Sequence, residues 1–69
     1  MIEQINVNGM DRPLTARTVA ALVAELGIPA QARGVAVACN GAVVPRAGWA
    51  DTPLAPGDQV EVIRAMQGG

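Results

Sequence analysis

The chain has no histidine, no lysine, no phenylalanine and no tyrosine, and a single cysteine and a single tryptophan among its 69 residues. Without histidine or a second cysteine it cannot assemble a soft-metal cluster, and Cys39 has no partner for an intramolecular disulfide. Both absences fit a reducing compartment. Scarcity of aromatics, with Arg12, Arg17, Arg33, Arg46 and Arg64 scattered along a chain of net charge −1, argues against nucleic-acid binding, which calls for a basic stripe interleaved with stacking rings. Met1-Ile2-Glu3-Gln4-Ile5 carries no basic patch ahead of an apolar run, and no stretch approaches the roughly 18 apolar residues of a membrane span. The expectation is a soluble cytoplasmic protein, free of membrane and nucleic acid and monomeric when alone.

Catalytic chemistry is also thinly provided. No hydroxyl or thiol has a base beside it, and no phosphate-cradling glycine-rich loop precedes a helix. The acidic residues Glu3, Asp11, Glu25, Asp51, Asp58 and Glu61 stand singly, in turns or on solvent faces. The chain therefore reads as a non-enzyme that binds no cofactor or metal of its own.

What is present is an apolar share of 51%, enough for one domain around one core. Ile2 to Val7 is strand-prone and ends at Asn8-Gly9, a dipeptide suited to the positive φ angles of a two-residue hairpin turn. The return strand is expected over Asp11 to Thr15, with Pro13 placing it at a sheet edge. Val19, Leu22, Val23 and Leu26 recur at helical spacing; Thr18 is the natural N-cap, Gly27 the natural C′ residue, and Pro29 bars continuation. Gly34 to Cys39 alternates larger and smaller apolar residues and meets a second Asn-Gly at Asn40-Gly41, which returns the chain through Ala42-Val43-Val44 to Pro45. Arg46 to Pro53 shows no period and reads as irregular, pinned by Trp49 and then Leu54. After the turn at Pro56-Gly57-Asp58, Gln59 to Arg64 forms the last strand, with Val60 and Val62 inward. A hairpin, a helix, a second hairpin and a final strand that pairs with the first make an α+β layer: a mixed sheet of four to five strands packed on one helix. The division is a domain over 1–65 and a flexible tail over 66–69.

That tail is Met66-Gln67-Gly68-Gly69. Lacking Cβ atoms, Gly68 and Gly69 can thread a slot too narrow for any side chain. Four extended residues reach about 13 Å, enough to enter another protein's active site while the domain docks outside. A carboxylate is a poor electrophile; adenylation would activate it, and a sulfur nucleophile could then displace AMP to leave a thiocarboxylate.

Elsewhere the bland readings prevail. Trp49 is expected to plug the core and Cys39 to be a small buried hydrophobe rather than a persulfide relay. Arg46 and Arg64 are read as solvated charges that could also meet an acidic groove. Ile63 and Met66, apolar and next to the tail, are the better docking candidates, with Arg64 and Gln67 beside them.

The order of elements, the terminal Gly68-Gly69 and the segment Asn40-Gly41-Ala42-Val43-Val44-Pro45-Arg46, Trp49, then Gly57-Asp58-Gln59-Val60-Glu61 together resemble the ubiquitin-like, β-grasp sulfur carriers of thiamine biosynthesis over nearly the whole chain. The resemblance implies that Gly69 is adenylated by a separate E1-like enzyme using ATP and receives sulfur from a donor such as a cysteine desulfurase. The resulting thiocarboxylate would then go to a thiazole synthase. Met66-Gln67 is a departure at the tail's approach. A sulfur carrier for molybdopterin or another thiocarboxylate pathway, and a ubiquitin-like protein modifier, are the alternatives that share such a tail.

Overall fold

The computed structural model describes residues 3–65, so the expectations placed on Ile2 and on residues 66–69 lie outside the described residues. The elements are β1 (Gln4–Val7), β2 (Met10–Pro13), α1 (Val19–Glu25), β3 (Val35–Cys39), β4 (Ala42–Val44), a 3-10 helix (Arg46–Asp51) and β5 (Gln59–Arg64). The sheet order is β2-β1-β5-β3-β4. β5 runs parallel to β1 and antiparallel to β3, and both hairpins are antiparallel, so the sheet is mixed with the last strand at its centre.

Each turn follows from its residues. Asn8 and Gly9 take φ of 53° and 85°, and Asn40 and Gly41 take 51° and 84°, the pair of positive angles that a two-residue hairpin needs. Because the first turn holds only two residues, Val7 pairs with Met10, so β2 begins at Met10 and ends at Pro13 rather than running from Asp11 to Thr15. Pro13 lies on the outermost strand, where its missing N–H costs no ladder bond. Thr18 caps α1 by accepting from Ala21 N–H at 3.2 Å, and Val19 N–H finds the Thr52 carbonyl at 3.0 Å. At the other end Gly27, at φ 82°, lets its own N–H reach Ala24 and that of Ile28 reach Val23, so the helix stops with its carbonyls satisfied.

The core lies between α1 and one face of the sheet. Val19, Leu22 and Val23 of the helix meet Ile5, Val7, Val37, Val60 and Val62 of the strands, with Ala16, Ile28 and Trp49 closing the margins. Arg46 to Asp51, expected to be irregular, is a 3-10 helix. Its repeat of three residues eclipses Arg46 over Trp49, with the guanidinium 4.6 Å from the ring centroid, while Trp49 Nε1 donates to the Val44 carbonyl at 2.9 Å. Trp49 is thus the expected plug, and Leu54 packs at the core's edge.

The two turn asparagines also clamp β5. Asn8 Oδ1 accepts from Val62 N–H at 2.8 Å and its Nδ2 donates to the Val62 carbonyl at 3.1 Å, supplying one more rung where the short β1–β5 ladder has ended. Asn40 Oδ1 accepts from Gln59 N–H at 2.9 Å and its Nδ2 donates to Asp58 Oδ1 at 3.0 Å. Asn8→Gly keeps the backbone angle and loses both bonds, an expected cost of about 1–3 kcal/mol in urea unfolding. Asn8→Ala should cost roughly 1–2 kcal/mol more, the penalty of a Cβ in the left-handed region.

Candidate functional site at the end of strand β5

The chain leaves the sheet from its central strand, and the last described residue is held firmly. Ala65 N–H donates to the Gly34 carbonyl at 2.7 Å. Gly34 sits at φ 73°, the angle that favours glycine, and a Cβ there would also crowd the Ala65 Cβ at 3.1 Å. This is a residue that sequence reasoning missed; a glycine directly ahead of a strand was the available signal.

Ile63 and Arg64 do not form one surface. Alternation along β5 puts Val60 and Val62 on the helix side, so Arg64 shares that side beyond the core, opposite Val35, while Ile63 faces the outer side, opposite Ala36. On the outer face Ile63 is 60% exposed and Val43, opposite Ala38, is 78% exposed. With Ala36 and Ala38 between them they make a small apolar patch. The other two docking candidates, Met66 and Gln67, and the tail glycines, Gly68 expected to thread and Gly69 expected to thread and react, lie outside the described residues.

Arg46 has a role beyond the one expected. It is exposed, as expected, and it is also a brace, stacked on Trp49 and donating to the carbonyls of Ala30, at 2.5 Å, and of Ala32, which ties down the loop before β3. Next to it an apolar cleft of about 210 Å³ opens between α1 and the 3-10 helix, lined by Val23, Ile28 and Trp49 among others. Arg46 is its sole ionisable lining residue, and the arginine's donors are already engaged, so the cleft offers neither nucleophile nor base.

Cys39 ends β3, half-buried against the core's edge. Burial, and secondarily the nearby Asp58 carboxylate, push its thiol pKa up, the opposite of what a reactive thiolate needs. Two results should follow. Cys39→Ala is expected to leave intact the tail chemistry that the resemblance implies. Because the unfolded thiol ionises before the folded one, its contribution to stability is present below the unfolded pKa and is lost as pH rises through the folded pKa; the alkaline loss of Tm should therefore be smaller in Cys39→Ala.

A mixed five-stranded sheet gripping one helix, with a central last strand that carries the chain outward, defines a ubiquitin-like protein of the β-grasp class. The comparisons narrow this further. The ThiS family model matches residues 5–69. The sulfur carrier protein ThiS of Thermus thermophilus is 41% identical over 68 residues, covering 91% of this chain and 95% of that protein. The crystal structure of the thiamine biosynthesis protein ThiS from Geobacter metallireducens superposes with a TM-score of 0.76 at 33% identity, covering 96% of this chain and 99% of that one. A solution structure of a thiamine biosynthesis protein from the same organism gives 0.77 at 32% identity, covering 96% and 87%. The chain belongs to the ThiS family.

Proposed function

We propose that this chain is a sulfur carrier of thiamine biosynthesis that works through the carboxyl group of Gly69. The observation that carries the reading is membership of the ThiS family at 41% identity to a sulfur carrier protein, across nearly the full length of both. The fold supports it physically. β5 is anchored on both sides by β1 and β3 and ends in the Gly34–Ala65 contact, so residues 66–69 start from a fixed point.

In this reading the chain is a co-substrate. An E1-like enzyme joins the Gly69 carboxylate to the α-phosphate of ATP, releasing pyrophosphate. The terminal sulfur of a donor persulfide, such as that of a cysteine desulfurase, then displaces AMP to give an acyl disulfide; a cysteine thiol attacks the donor-side sulfur, becoming a disulfide with it, and the thiocarboxylate leaves for a thiazole synthase. Gly68 and Gly69 thread the partner's slot, while Ile63 docks through the outer apolar patch with Met66 and Gln67 at the tail's approach.

The test is intact mass after incubation with ATP, a sulfur donor and the adenylating enzyme. A gain equal to one oxygen replaced by sulfur supports the carrier, whereas a covalent adduct on lysines of other proteins would assign a modifier. Loading by the enzymes of molybdopterin synthesis in place of those of thiazole synthesis would move the chain to that pathway.

A further inference from the structure

Arg33 and Arg64 lie on adjacent segments where β5 ends. Arg64 pairs in register with Val35, and Ala65 N–H bonds to Gly34, the residue after Arg33. Arg33, Gly34, Val35 and Arg46 line one open groove on this side of the sheet. Arg33 and Arg46 thus line a groove that borders the Gly34–Ala65 contact, and Arg64 stands on the neighbouring strand opposite Val35, in a chain whose net charge is −1. Among the described residues the single ion pair joins Arg12 to Glu25, so none of their carboxylates is ion-paired with this group. Glu3 and Asp58 stand at the opposite end, before the starts of β1 and β5, and the six residues of β5 separate the two ends by about 20 Å.

We infer that Arg33, Arg46 and Arg64 form a cationic collar that docks the tail's root onto an acidic rim of the adenylating enzyme. Arg46 holds the loop in place as well as contributing charge. The inference rests on the reading of Gly69 as the reacting terminus. The collar faces protein rather than nucleotide because the phosphate joins the chain at Gly69, about 13 Å beyond Ala65 when the tail is extended. Complementary charge of this kind acts mainly on the rate of encounter and is screened by salt.

The experiment measures thiocarboxylate formation by wild type, Arg33→Glu, Arg64→Glu and Arg17→Glu, at low and high ionic strength. Arg17 is exposed, and its carbonyl takes the Leu54 N–H, well away from β5's end, so its variant makes the same change in net charge elsewhere. Each collar variant is expected to lose about tenfold in kcat/KM for the carrier at low salt, with kcat within about twofold and the gap closing as the Debye length shrinks toward about 3 Å. Arg17→Glu should track wild type, and all should share one Tm. Equal losses in all three variants, a salt-independent loss, or a change confined to the KM for ATP would overturn the collar while wild type still loads. Failure of wild type itself to load would overturn the underlying reading, and the collar with it.

Discussion

Gly69→Ala is expected to lower thiocarboxylate formation by at least about 100-fold while Tm stays unchanged. The size follows from geometry: a methyl group in a slot shaped for bare backbone displaces the carboxylate, and a shift of about 1 Å at a reacting centre is worth that much. Removing Gly69 should be as damaging, because the carboxyl group then falls about 3.5 Å short of the nucleotide. Stability is expected to be spared because the buried core of the described residues is built between Ile5 and Val62, all of it ahead of Gly69. Single-turnover loading followed by mass spectrometry, with thermal melts alongside, checks both halves. An Ala variant that loads normally would remove the narrow-slot account.

Leu22→Ala should do the reverse, leaving the tail's chemistry untouched and removing the fold that presents it. Leu22 is 1% exposed, on the face of α1 that packs against the sheet. Truncating a buried leucine to alanine costs about 2–5 kcal/mol, and a core this small holds only about 3–5 kcal/mol in reserve. The variant is expected to be largely unfolded at 37 °C, as circular dichroism would show. Met10, 74% exposed in the outermost strand, provides the contrast, and Met10→Ala should melt close to wild type. A Leu22→Ala protein melting within a few degrees of wild type would mean that the core lies elsewhere.

The sequence disclosed what is decided locally. Both Asn-Gly turns, the Thr18 cap, the Gly27 stop and the alternation of Val60 and Val62 depend on angles and spacings within a few residues, and all appear where those signals lie. The central position of the last strand was also legible, since pairing it with the first leaves few other arrangements. The rest required partners far along the chain. Asn8 meets Val62 across 54 residues and Arg46 meets Ala30 across 16, so nothing beside either residue announces the contact. The 3-10 helix is too short to register as a period. Of the tail-side candidates, Ile63 and Arg64 are neighbours in sequence but point to opposite faces, a separation that β5's register decides. Gly34 was legible only as a glycine; the crowding that a Cβ there would meet comes from Ala65, half a chain away.

The most direct measurement is fragmentation mass spectrometry of the loaded wild-type chain, locating the sulfur to a residue. Sulfur in place of oxygen on the carboxyl group of Gly69, with Cys39 unmodified, is the predicted result. Sulfur held on Cys39, or a fully competent enzyme mixture that leaves Gly69 unchanged, would contradict it.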